Sequence, residues 1–336
     1  MPLIPMLTYI VRRLFAAVGL LLVVTLITFW IFYVLPMWAG QTPESLAAAY
    51  VGKQQNPAAL HAVIDRIGFD KPLFVQYFDY VTGIVGGRTY SDGVQLIRCN
   101  APCFGYSFKN YEQVWPTLLN RAPITLSIAI GAGVLWLVFG VLSGVISAVR
   151  KGTLADRASM GIALAGVALP VYFVGPLLEA LTGQWSTVYV SFLDNPLQWA
   201  SHLLIPWIAL AFGYAALYTR LTRAGMLEAL NEDFVRTARA KGLSERKVLY
   251  KHALRSAISP IITIFGMDLG AVLGGAVLLE VAFSLPGLGE LAITSIHQGD
   301  FPVVMGVTLL AAFFIVLANI VVDVLYAVVD PRVRLS

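Results

Sequence analysis

An all-α, polytopic membrane protein with six spanning helices is the fold class this sequence predicts, and three observations predict it. The chain of 336 residues is 58% hydrophobic and only 12% charged, with a mean hydropathy of +0.77; soluble domains carry about 25% charged residues. Its apolar residues gather into six long runs, and about 20 such residues cross a bilayer as a helix. Its 23 Lys and Arg residues fall on alternate sides of those runs, as the cytoplasmic bias of basic residues requires.

The first run, Leu14–Leu35, follows Arg12 and Arg13. It is too long for a secretory signal and has no small-residue cleavage site, so it reads as a span. The others are Ile124–Val149, Ser159–Leu181, Leu203–Thr219, Ile261–Phe283 and Val303–Tyr326. Arg12 and Arg13, then Arg150, Lys151 and Arg157, then nine basic residues between the fourth and fifth runs, and finally Arg332 and Arg334 all lie on one side. The short loops on the other side, near 182–201 and 284–302, contain no Lys or Arg. Short loops report orientation, so both termini are expected in the cytoplasm. A positive net charge of +4 therefore speaks of topology and not of nucleic acid.

The remaining seven basic residues lie in 36–121, which is long enough to be exported whatever its charge. The expected organisation is a cytoplasmic N-terminus and first span (1–35), an extracytoplasmic segment between helices 1 and 2 (36–121), a five-helix core (122–327) carrying a cytoplasmic loop at 220–259, and a tail (328–336). In the outer segment, Ala58–Ile67 and Leu73–Ile84 read as short helices, and Gly83, Gly86, Gly87, Gly93 and Gly105 read as loop formers. Cys99 and Cys103 sit there in the run CNAPC. An oxidising compartment favours a disulfide between them, and so small a ring would pin a hairpin. Two free thiols are the alternative, and a metal site would want further His or Cys ligands.

Four carboxylates fall inside or near the apolar runs: Glu179, Asp268, Glu280 and Asp323. Glu179 and Glu280 lie near outer ends and Asp323 near an inner end, where an interfacial hydrogen bond suffices. Asp268 alone is deep. Each of the four is a candidate functional group; a structural bond to a neighbouring helix is the expected role of all but Asp268, for which both readings stand. Pro170 and Pro176 can bend the third span where neighbours satisfy the freed carbonyls. Gly270, Gly274 and Gly275 permit close helix contact in the fifth.

The stretch Arg220–Pro260 is a basic island between two apolar runs. Leu227, Leu230, Phe234 and Ala238 recur at helical spacing, which predicts a short amphipathic helix. Gly242 is placed to stop it in the left-handed conformation, and Ser244 can start the next helix. An apolar stripe on a basic hairpin asks for a groove to lie in. Catalytic patterns are missing from the sequence. There is no GxxxxGK[ST] and no HExxH, and His61, His202, His252 and His297 are scattered. Neither a polar catalytic cluster, as in a membrane enzyme, nor inverted repeats with buried titratable groups, as in a stand-alone secondary transporter, stands out.

The island's DFVRTARAKGLSERKVLYKHALRSAISPIITIFG, the following LGGAVLLEVAFSLPGLGELAITSI, the DFP at Asp300–Pro302, the late NIVVDVLYAVVDPRV and the opening YIVRRLF occur in that order. Together they resemble the B-type inner-membrane permease of dipeptide/oligopeptide/nickel ABC importers, over residues 1–35 and about 106–334. The stretch Gly86–Cys103 departs from relatives, which have a short glycine-rich link there. The resemblance implies a type I ABC importer permease fold in a bacterial inner membrane. It implies that Glu232 to Gly242 form a coupling helix docked in a cleft of an ABC ATPase. Leu230 and Phe234 would be its apolar knobs, with Glu232, Asp233 and Thr237 in the docked run and Ala238 small for close approach. Arg236, which replaces the acidic first residue of the general pattern, would meet acidic rims together with Arg239 and Lys241; lipid headgroups are the alternative for these cations. The implied partners are a second, C-type permease, one or two ABC ATPase subunits, an extracytoplasmic substrate-binding protein and the bilayer. No cofactor is expected on this chain, and ATP and Mg2+ would be used by the ATPases. Short peptides are the implied cargo, with haem, nickel or another small solute as alternatives.

Overall fold

The structure, a computed structural model, describes residues 3–42, 44–45, 61, 64, 71–91, 96–107, 109–183, 188–274 and 276–329. Most of the expected helix at Ala58–Ile67, the tail beyond Val329 and the side chain of Asp323 lie outside the described residues. Helix α1 (Leu3–Phe29) continues through a π-helical turn, Trp30–Val34, into Leu35–Trp38. It is followed by α2 (Leu73–Gly86), the strands β1 (Arg88–Ser91), β2 (Leu96–Cys99), β3 (Tyr106–Ser107) and β4 (Glu112–Gln113), and α3 (Val114–Val149). Then come α4 (Leu154–Ala168), α5 (Val171–Thr182), α6 (Pro196–Asn231), α7 (Asp233–Ala240) and α8 (Glu245–Leu273, with a π-helical turn at Val248–Ala253). Helices α9 (Val277–Ala282), α10 (Leu288–Gln298) and α11 (Phe301–Val329) complete the chain.

Five helices (α1, α3, α6, α8, α11) are long and apolar enough to cross a bilayer, and the pair α4–α5 makes a sixth span broken by a 110° bend. The continuous third span expected from the sequence is thus corrected to two pieces. The reason is local. Pro170 has no N–H to donate, and its ring disfavours helical geometry at the preceding residue; Leu169 accordingly sits at φ −95°, ψ 117°. The fifth span also stops earlier than expected, at Leu273, with Gly274 as its cap, and residues 277–282 form the separate helix α9. The glycine-rich outer stretch is not all loop: β1 pairs with β2 and β3 with β4, both antiparallel.

The core forms around α3 and α6. A Cβ at Gly140 would lie 2.5 Å from the Tyr218 side chain, and one at Gly144 would lie 2.7 Å from the Thr219 carbonyl. Glycine four residues apart on α3 therefore lets α6 pack backbone to backbone, the small-residue packing typical of membrane helices. Trp136, Tyr218, Leu203 and Ile128 are fully buried in this seam. Helix α8 packs against α11, α6 and α3, and α4 packs against α6. Helix α1 stands to one side against α11, joined to α2 where Thr25 Oγ1 and Tyr77 Oη lie 3.0 Å apart.

Candidate coupling and transport site

The basic hairpin is built from the end of α6, the whole of α7 and the start of α8. Helix α6 ends at Asn231, whose side-chain amide donates to the Leu227 carbonyl at 2.9 Å. Glu232 then turns extended (ψ 150°), and its carbonyl accepts from the amides of Val235 and Arg236 to start α7. Asp233 in the first turn and Arg239 in the last suit the helix dipole. Gly242 adopts φ +73°. The amide of Leu243 reaches the Ala238 carbonyl at 3.3 Å and that of Gly242 reaches Arg239 at 2.9 Å, which is a Schellman stop.

This geometry divides the expected apolar stripe between two helices, because the chain changes direction at Glu232. Val235 and Ala238 face inward and are buried with Met226, Ala229, Val248, Ala253 and Ala257, and Leu227 and Leu230 pack against the same cluster. Ala238 is therefore small to fit its own hairpin. The outward side carries Phe234 (43% exposed), Leu243 (36%) and Tyr250 (54%). Around them lie exposed Arg236, Thr237, Lys241, Arg246 and Lys247. Arg236 pairs with Asp233 at 3.4 Å and Arg239 with Glu245 at 2.8 Å, both at the exposed surface. Exposed pairs of this kind are worth at most about 1 kcal/mol, so a partner could take over either cation at small cost.

Above the hairpin, three sets of contacts lie along α3, polar at both ends and aromatic in the middle, each about three helical turns from the next. At the inner end the Asp156 carboxylate accepts from Arg223 Nε (2.8 Å) and Nη2 (3.0 Å), Ser147 Oγ (2.5 Å) and the Gly152 amide (2.8 Å). Midway, Trp136 stacks on Tyr214 with ring centroids 4.5 Å apart and meets Phe265 edge-on at 5.8 Å. Beside it Tyr218 Oη donates to Asp268 Oδ2 at 2.8 Å. At the outer end Thr125 Oγ1 donates to Glu280 Oε1 at 2.6 Å and accepts from the Leu288 amide at 2.9 Å. Glu280 Oε2 accepts from the amides of Gly289 (2.7 Å) and Glu290 (3.0 Å) at the start of α10.

Glu280 is completely buried and not interfacial, and it makes the structural bond to a neighbouring helix expected of these carboxylates, as the anchor of the α9–α10 re-entry. Its partner Thr125 is 155 residues away, and no local sequence signal could pair them. The ion pair of Asp156 with Arg223, 67 residues away, is equally invisible in the sequence, although Ser147 and Gly152 lie close by. Glu179, by contrast, has no such network among the described residues.

At the end of the core away from the hairpin, β2 carries Cys99, which is disulfide-bonded to Cys103 with Cα atoms 5.6 Å apart. The bridge is buried with Tyr90 and Tyr106. Phe104, next in the chain, stacks on Trp115 of α3 at 5.2 Å. Ser107 Oγ donates to Asp300 Oδ2 just before α11. Asp300 is fully buried, and its other oxygen has no hydrogen-bond partner among the described residues. Burial pushes its carboxyl pKa up, against the opposing hydrogen bond from Ser107. The outer segment thus grips the mouth of the helical core at both α3 and α11.

Residues 140–335 match the model of the binding-protein-dependent transport system inner membrane component, and residues 6–129 match the N-terminal part of such membrane components. The chain belongs to this family, the membrane-embedded permease subunits of ABC importers. Among curated relatives, the di/tripeptide transport system permease protein DppB of Pseudomonas aeruginosa is 36% identical over 98% of this chain and 99% of its own. The dipeptide permease DppB of Escherichia coli is 34% identical with the same coverage. The glutathione permease GsiC of Escherichia coli is also 34% identical over 98% of this chain. In fold, the chain resembles the solved MetNI methionine ABC transporter in its inward-facing conformation, with a TM-score of 0.52 and 19% identity over 64% of this chain and 97% of that one.

Proposed function

We propose that this chain forms half of the translocation pathway of an ATP-driven importer of short peptides. The observation that carries the substrate is the near-complete alignment with permeases named for dipeptides and di/tripeptides. The glutathione permease aligns about as well and keeps that tripeptide as a second reading. The chain brings no nucleotide-binding pattern; ATP and Mg2+ belong to one or two ABC ATPase subunits, and a second, C-type permease completes the pathway. A binding protein delivers the peptide from outside to the segment 36–121 and the short outer loops. Both termini lie in the cytoplasm.

Coupling runs through the α6–α7–α8 hairpin. Its outward apolar side, centred on Phe234 and rimmed by Arg236, Arg239 and Lys241, suits a partly apolar cleft with acidic edges. Val235 and Ala238 fasten α7 to α6 and α8, so a push on α7 is transmitted to two spans as a rigid-body movement. The test is reconstitution of the whole complex. Phe234→Asp and Gly242→Trp are expected to insert normally and to lose at least tenfold in peptide uptake. Uptake and substrate-stimulated ATP hydrolysis at wild-type rates in both variants would remove the hairpin from the mechanism.

A further inference from the structure

Asp268 is half-buried in α8 and accepts from Tyr218 of α6, whose ring lies against Trp136 near the middle of α3. One of its oxygens accepts from Tyr218; it has no ion pair and no second hydrogen bond among the described residues. A carboxylate this deep is costly to leave facing lipid and is found paired or lining a polar cavity. Its half-exposed side therefore points to a polar pathway and not to lipid. Tyr214, half-buried beside it, adds an aromatic face, and aromatic faces attract cations.

We infer that Asp268, with Tyr214 and Tyr218, is a mid-membrane station for the α-ammonium group of the transported peptide. This rests on the peptide-import reading above and deepens it. Dipeptides, tripeptides and glutathione differ in side chains and length but share one free α-ammonium, so a single carboxylate serves all of them. A lone carboxylate with one neutral hydrogen-bond donor also suits a transit site, where binding must be strong enough to admit the cargo and weak enough to release it. Tyr218 holds the carboxylate in place and is a positioning residue.

The experiment uses the complete importer in proteoliposomes, with its binding protein loaded with radiolabelled Ala-Ala. Asp268→Asn is expected to co-purify with the second permease and the ATPases and to lose at least tenfold in uptake, while Asp268→Glu keeps most of it. Asp268→Cys is expected to be equally impaired, to regain uptake on modification with a negatively charged sulfonatoethyl thiosulfonate, and to stay impaired with the aminoethyl reagent. A purely structural role would not respond to the sign of the adduct. Wild-type uptake by Asp268→Asn, or equal recovery with both reagents, would overturn the inference. Loss of the second permease from purified Asp268→Asn would overturn it too, in favour of a cation on that subunit. A wild-type complex that imports no Ala-Ala would sink the peptide reading itself, and this inference with it.

Discussion

Asp300 joins two parts of the chain that lie far apart in sequence, and it does so with a carboxyl that burial favours in its protonated form. The sign of the pH effect follows. The folded state binds this proton more tightly than the unfolded chain, so stability is greatest below the ordinary carboxyl range and falls as pH rises through the raised folded value. Melting temperatures of the purified protein between pH 4 and pH 8 should therefore fall more steeply with pH than those of Asp300→Asn, and parallel curves would show that Asp300 titrates normally. Glu280 makes a related demand on a backbone position. A Cβ on Gly287 would lie 2.2 Å from the carboxyl carbon of Glu280, so Gly287→Ala must push the outer tie apart. Overpacking of this kind costs about 1–3 kcal/mol, which should appear as a lower melting temperature with the inner part of the protein unaltered. Neither residue could be placed from the sequence. A buried carboxylate and one at a helix end look alike there, and the donors that decide between them come from other parts of the chain.

At the level of elements, what could be read from the sequence depended on how local the cause was. The Gly242 stop was legible because glycine alone adopts that backbone conformation without strain. The spans were legible because about 20 consecutive apolar residues suffice to identify one. The bend between α4 and α5 was half legible: Pro170 announces a break, but its 110° depends on what α5 packs against. The turn at Glu232 was not legible, since neither glycine nor proline marks it, and so Ala238 was assigned to the wrong side of its helix. The outer hairpin presents a further element-scale test. Its buried bridge closes a ring small enough to contribute about 2 kcal/mol through the unfolded state. Replacing Cys99 and Cys103 by Ser should speed trypsin cleavage at Arg88 and Arg98 severalfold while the helical core stays resistant; unchanged cleavage would mean that Tyr90, Tyr106 and the strand pairing hold the hairpin without it.

For the whole molecule, orientation is the property on which the proposed roles depend. The lopsided distribution of Lys and Arg is the ground for the proposal that the hairpin shares a side with both termini. A fluorescent protein fused after Ser336, which matures only in the cytoplasm, should glow, and a periplasm-dependent phosphatase inserted near position 93 should be active; the reverse pattern would invert every role assigned above. Fold class and family membership were visible in composition, periodicity and motif order together. The interior wiring was not, because it joins residues that only three-dimensional packing brings within reach.

That wiring constrains how the subunit can move. Thr125, Trp136 and Ser147 are set like dowels along one side of a single straight keel, each engaging a different neighbour. Sliding α3 lengthwise, or rolling it, would shear all three at once, whereas tilting it together with its neighbours would shear none. Under the proposed coupling, a transport stroke entering through the hairpin swings this bundle as one plank, and any bending is absorbed where the plank is already jointed, at the elbow beside Pro170 and at the break between α8 and α9.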